Sequence, residues 1–479
     1  MKFLKKIASF ALCCAFVGGS VFGLGACGSS ELTSEGPKAS DVVIGNGGLS
    51  VQKGDYLYFV NGYLEQSDFE AATKESNIIH SAIYRVKLTN GKVTEQDSEG
   101  DTKEFKLKNT CKVVSKVAGF EYSNLYIFGD YLYFSTPNTR APGRGEETTD
   151  DSGNLLDHID YYRVKLDGTH EQRIYSCNSV NTKSDMAMYV IGDKFYQVVK
   201  DGDKLVLTVD NGKVVEKVIS EKATSVAFPL YKNDQSFGIN KFVIYAENIG
   251  EDDDVTGSNL MKYDIESGES EQISGGEGFT FNLFGMSGDC VFYTLKQTAD
   301  EDEYIYCKYF DGAKFVTAQL SEMPYNTTIS KFVPASSDFQ GSILFYDGEK
   351  TYFRQVSMDA NVKFNVENDV VLADSNVLSN VVTVKGNKLY YNDSGLNSLV
   401  FTQANAEAKS EITVDEPVTK NVANFDVNGD AIFYLVERNE HAYLYYTNSL
   451  LRDASDKSVE YHHFVGELLK DDFEIKESD

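Results

Sequence analysis

The side chains in this 479-residue sequence whose types could carry chemistry are a serine flanked by glycines, six histidines, two carboxylate runs and a scatter of cysteines. A nucleophilic serine needs the sharp G-x-S-x-G elbow. Gly285-Met286-Ser287-Gly288 is one residue short of it and sits where a turn is expected. His80, His158, His170 and His441 stand apart, and only His462 and His463 are adjacent. Neighbours on a strand point to opposite faces, so that pair cannot share a metal simply. Glu251-Asp252-Asp253-Asp254 and Asp300-Glu301-Asp302-Glu303 are rich in oxygen, but neither has the D-x-D-x-D-G spacing of a wrapped calcium loop. They read as solvated hairpin tips. Phosphate-cradling and dinucleotide glycine patterns are absent in any strand-to-helix setting. The sequence therefore implies no metal, no cofactor and no catalytic residue, and it leaves the ligand-binding residues unknown. One enzymatic alternative stays open, because a ring of sheets can bring distant carboxylates to glycosidase spacing at its central mouth.

One cysteine has a clear context. Lys2, Lys5 and Lys6 precede the apolar stretch Ile7 to Phe22, and Leu24-Gly25-Ala26-Cys27 follows. This resembles the lipobox of bacterial lipoproteins, in which the leader is cleaved before the cysteine and that cysteine carries the lipid. The resemblance implies a signal peptide over residues 1–26, lipidation of Cys27, and a chain held at the extracytoplasmic face of a bacterial cell membrane by that lipid alone. Residues 27–46 are rich in Ser, Gly, Glu and Lys and read as a flexible tether. Of the other cysteines, Cys13 and Cys14 leave with the leader, and Cys111, Cys177, Cys290 and Cys307 remain. Cys290 and Cys307 lie at roughly symmetric positions around the turn near Thr298-Ala299-Asp300, so a cross-strand disulfide and two buried thiols are both open.

From residue 47 to 479 the chain repeats one phrase. Gly54-Asp55-Tyr56-Leu57-Tyr58-Phe59 returns as Gly129-Asp130-Tyr131-Leu132-Tyr133-Phe134. Variants start at Gly192, Ile239, Gly288, Gly341, Gly386 and Gly429, with steps of 75, 63, 47, 49, 53, 45 and 43 residues. Glycine takes the turn, Asp or Asn bonds the local backbone, and aromatic and β-branched residues fill a pleated surface. A second phrase follows, as in Tyr84-Arg85-Val86-Lys87-Leu88 and Tyr162-Arg163-Val164-Lys165-Leu166-Asp167-Gly168. Its period of two marks a half-exposed strand. Two further short strands complete a unit of four. Such units at this period imply an all-β β-propeller of four-stranded antiparallel blades, with eight blades favoured and seven the alternative. Glu65 to Asn77 and Pro137 to Asp157 break the repeat and read as loops. Tyr58, Tyr133 and Tyr196 occupy equivalent strand positions, where packing needs bulk, so they are assigned to the core rather than to a sugar-stacking ladder.

The paired phrases also resemble the repeat of bacterial surface lipoproteins whose propeller is similar to that of the low-density-lipoprotein receptor. The receptor's own Tyr-Trp-Thr-Asp strand is absent, since the chain has no Trp. The resemblance thus implies fold and setting and transfers no binding residue. A net charge of −28 argues against nucleic acid, which needs a basic footprint. The resulting expectation is a non-catalytic binding or scaffold module for a protein, a peptide or an envelope glycan. The alternative is a carbohydrate-active hydrolase or lyase with carboxylates in the central channel.

Overall fold

Gly54, Gly129 and Gly192 have φ of 57°, 59° and 63° in the computed structural model of the protein. A side chain at these positions would meet its own carbonyl, and this is why the repeated phrase opens on glycine. The structure describes residues 35–467 except 49, 65–78, 88–94, 97–105, 108–110, 115–124, 139–157, 180–184, 233–234, 238–240, 251–253, 288–289, 298–301, 321–324, 326–329, 335–340, 359–363, 367–369, 379–381, 386–387, 393–395, 402–405, 412–421, 429–430, 439–440 and 448–462. From 392 onward, and within several earlier strands, only the backbone is described. Cys27 and the Glu65–Asn77 insert lie outside the described residues, as does the Pro137–Asp157 insert from residue 139 onward.

The described residues are all-β. The second sheet shows the plan: Tyr126–Phe128, Tyr131–Asn138, His158–Lys165 and Gln172–Ser176 follow one another in the chain and in the sheet, each antiparallel to the last. The third sheet repeats it with Met186–Ile191, Lys194–Asp201, Lys204–Asp210 and Lys213–Ser220. The fifth does so with Phe279–Ser287, Cys290–Gln297, Glu303–Phe310 and Phe315–Gln319. Eight such sheets are described, six of four strands and two of five, besides two small hairpins. In the last, Val422–Asn428, Ala431–Arg438, His441–Thr447 and His463–Glu467 come from one stretch of chain. Its first strand runs beside Ser50–Lys53 of the first sheet, and its third runs beside Tyr56–Leu64.

The packing explains the motif. Leu57, Phe59, Ile83, Val86, Leu132, Phe134 and Val164 belong to one buried cluster of the first two sheets, and the Tyr58 hydroxyl bridges to the second sheet by donating to the Leu166 carbonyl at 2.9 Å. Tyr133, Ile159 and Tyr161 meet Met188, Val199 and Val206 between the second and third. Tyr58, Tyr133 and Tyr196 are buried, as core packing requires. Burial of each large side chain contributes roughly 1.5–3 kcal/mol. The arginine of the second phrase crosses diagonally onto the first aromatic of the preceding strand. Arg163 stacks on Tyr131 at 4.5 Å and Arg85 on Tyr56 at 5.0 Å, and Lys262 does the same on Phe242 at 4.8 Å. Both arginines also reach the next sheet, Arg85 donating to the Leu166 carbonyl at 3.2 Å and Arg163 to that of Gly212 at 2.7 Å.

Three expectations change. Cys290 lies opposite Tyr309 and Cys307 opposite Phe292, so the two thiols are diagonal neighbours rather than facing partners. Both are free and buried, and the two thiols are hydrogen-bonding neighbours. They fill the diagonal slot that Tyr131 and Arg163 fill in the second sheet. Gly341 does not open a turn; it is already in a strand, paired with Pro334 and Val356, and the connection precedes it. The stretch read as a tether to residue 46 is drawn into the first sheet from Val43, since Val43–Ile44 pairs with Gln52 and Lys53.

Candidate functional site

Each strand pair has a Gly-Asp turn end and an opposite end, and the buried carboxylates among the described residues, Asp160 and Asp201, lie at the opposite end, where the second sheet meets the third. His158 and Asp160 begin one strand there, Tyr175 and Ser176 end the next, and Asp201 closes the second strand of the third sheet. A two-residue alternation places His158, Asp160 and Tyr162 on one face of their strand and Tyr161 on the other.

Asp201 is buried and accepts three hydrogen bonds: from the Tyr175 hydroxyl at 2.9 Å, the Asn178 amide at 2.9 Å and the Ser179 amide at 2.8 Å. It thereby pins the chain leaving the second sheet to the tip of the third. Asp160, also buried, accepts from the Ser176 hydroxyl and from Tyr162 at 3.4 Å, and Arg173 stands 3.8 Å away. The amide of Asp185 donates to the Tyr161 hydroxyl at 3.0 Å. Nδ1 of His158 lies 3.1 Å from the Cys177 carbonyl. A carbonyl only accepts, so Nδ1 carries the proton and Nε2 is the basic nitrogen. Burial pushes the Cys177 thiol well above its ordinary range, and Asp201, Asp160 and Asp185 add to this. The Tyr175 phenol is raised by burial first, and then by the Asp201 carboxylate it donates to. Both groups stay protonated at neutral pH, so Tyr175 is a donor and Cys177 an unreactive thiol.

This arrangement is a brace. Its carboxylates receive donors from the protein itself, and its two weak acids are held neutral. No group of three His, Cys, Asp or Glu residues among the described residues has metal-binding geometry.

Of the residues singled out in the sequence, only His158 and Cys177 fall here. His170 is exposed at the Asp167-Gly168 turn with φ of 55°. Ser287 ends a strand and pairs with Cys290, in register for a tight turn rather than an elbow. His80, His441 and His463 sit in three different strands. Asp254 is exposed, and Glu303 begins a strand; Glu251 to Asp253, Asp300, Glu301 and His462 lie outside the described residues. Asp160 and Asp201 carried no motif, and Asp160 stands at a polar position of its strand's alternation, between Ile159 and Tyr161, so no local signal marked it as buried.

Comparison with known proteins adds faint likenesses only. No family model matches the chain, and no curated protein does. The chain is similar to the β-propeller domain of the Trilobed protease from Pyrococcus furiosus, at 12% identity over 85% of this chain and 95% of that one, with a TM-score of 0.36. It is similar to periplasmic gluconolactonase of Pseudomonas aeruginosa at 11% identity over 78% and 96%, with a TM-score of 0.37. Oligogalacturonate lyase of Vibrio parahaemolyticus follows at 13% identity over 67% and 95%, with a TM-score of 0.38. At TM-scores below 0.5 none of these decides ring closure, ligand or reaction.

Proposed function

We propose that the protein is a lipid-anchored extracytoplasmic lipoprotein whose body is an eight-bladed β-propeller acting as a non-catalytic binding or scaffold module. Contact between the last and first sheets supports the closed ring, since it leaves neither as a free end. The observation that carries the non-catalytic reading is the brace at Asp160 and Asp201, which spends the densest set of buried carboxylates on holding strand ends. The partner is a protein, a peptide or an envelope glycan. Its contact surface is proposed to include the inserts Glu65–Asn77 and Pro137–Asp157, because they break the repeat. The lipid is carried by Cys27.

The test is a binding screen of the mature chain against glycans and cell-wall fragments, with calcium present and absent, beside cross-linking on the native cell surface. The expected result is saturable binding without turnover, lost when Pro137–Asp157 is trimmed. Product release in the same wells would replace this reading with a carbohydrate-active hydrolase or lyase.

A further inference from the structure

The segment leading into the body is docked at one end of the sheets. Lys38 and Asp41 form a tight turn, with the Lys38 amide on the Asp41 carboxylate at 2.7 Å and the Asp41 amide on the Lys38 carbonyl at 3.1 Å. The Val42 carbonyl accepts from Gly54 at 3.0 Å, in the first Gly-Asp turn. A Cβ at Gly54 would lie 2.4 Å from the Asp41 carboxylate, so the two segments are in close contact. Val43–Ile44 then runs antiparallel along the first strand of the first sheet. Asn46 is buried and caps the first strand of the second sheet, its side chain accepting from the Ile127 amide at 2.7 Å and donating to the Ile127 carbonyl at 3.3 Å. Glu35 meets Lys87 at 3.0 Å, and Lys87 pairs with Tyr56 beside the same turn. Lys53 donates to the Gly129 carbonyl at 2.8 Å, tying the two Gly-Asp turns together.

We propose that this docking sets which end of the body faces the membrane: the Gly-Asp turn end lies toward the lipid and the end bearing Asp160 and Asp201 points away. The proposal rests on the lipid-anchor reading above. Eight residues separate Cys27 from Glu35, which Lys87 holds beside the first Gly-Asp turn, and a chain of that length spans at most about 28 Å fully extended. Strands of eight residues hold the two ends about 26 Å apart. For the far end to face lipid, those eight residues must run back along the whole sheet at full extension. The charge of −28 also keeps the body from lying flat on an anionic leaflet. The connections that carry the two inserts, between Leu64 and Ile79 and between Asn138 and His158, leave from the outward end.

The absence of tryptophan supplies the test. Single tryptophans are placed at the exposed turn-end residues, Asp55→Trp and Asp193→Trp, and at the exposed far-end residues, Asp203→Trp and Glu221→Trp. Asp193 and Asp203 flank one strand, so that pair compares two ends of a single sheet. The lipidated chain is reconstituted in vesicles containing dansyl-headgroup lipid, and energy transfer from each tryptophan is read. Transfer several-fold stronger from Asp55→Trp and Asp193→Trp is expected. Equal or reversed transfer overturns the proposal. Flotation and the mass of the Cys27 peptide report separately on the anchor. Should Cys27 prove unmodified, the anchor reading fails by itself. The chain beginning at Cys27 is then coupled there to a maleimide lipid, and the same comparison decides the docking.

Discussion

Asn46 shows how much a single side chain can hold. Its amide imitates a strand neighbour for Ile127, satisfying a backbone donor and acceptor that are both buried. Asn46→Ala leaves both groups without that partner, at an expected cost of about 1–3 kcal/mol, read as a lower urea midpoint with an unchanged slope. Asn46→Asp should lose less, because the carboxylate still accepts from the Ile127 amide. The cysteines make a second residue-scale case. Cys177, Cys290 and Cys307 are buried, and burial foremost raises the thiols of Cys177 and Cys307. A thiol-specific disulfide reagent should leave all three unmodified in the native protein, even at mildly alkaline pH, and modify them on unfolding. Modification of Cys290 or Cys307 in the native state would contradict their placement between packed strands.

At the scale of the element, the strand-to-strand turns and the diagonal cation pairs explain why the repeat reads as it does. Arg163 combines a stacked contact on Tyr131 with a hydrogen bond to the Gly212 carbonyl of the next sheet. Arg163→Met keeps the aliphatic stem and removes both, so a loss of about 1–3 kcal/mol is expected by chemical denaturation. The Asp311 turn makes a pH prediction. Amides of Lys314 and Ala313 hold the Asp311 carboxyl below the usual range for an aspartate, and those of Lys350 and Glu349 do the same for Asp347. A carboxyl depressed in the folded state contributes stability above its unfolded value of about 3.9, and that contribution fades as pH falls through the folded value. Asp311→Ala should therefore narrow the stability difference between neutral and acid pH. Titration by carboxyl NMR would show the wild-type midpoint below the ordinary aspartate value. The second phrase was legible because alternation in Tyr162-Arg163-Val164-Lys165 has one reading as a strand. Gly341 was not, since a glycine inside a strand and a glycine opening a turn look alike until the register is known.

At the scale of the whole molecule, net charge dominates. With −28 charges on one chain, self-repulsion opposes the folded state. Raising salt from about 0.02 to 0.3 M shortens the screening length to well under 10 Å, so the thermal midpoint should rise. A flat response in a salt series would mean that the carboxylates are already paired locally. The eight sheets were readable as a repeat, since each is built from one contiguous stretch and carries its own turn glycine and aromatic strand.

By itself the sequence determined the all-β class, the four-strand unit and the burial of the repeated tyrosines. Each of these follows from local alternation or composition, which need no knowledge of what lies next door. Tertiary structure alone decided the rest. Cys290 and Cys307 are diagonal because register, not symmetry about a turn, sets which residues meet. Asp201 and Tyr175 join across two sheets through a hydrogen bond between residues 26 apart in the chain. The leading segment belongs to the body because Asn46 finds Ile127, a partner 81 residues away. Hydrogen bonds of that range leave no trace in local pattern, since their donors and acceptors are paired only when separate sheets pack side by side.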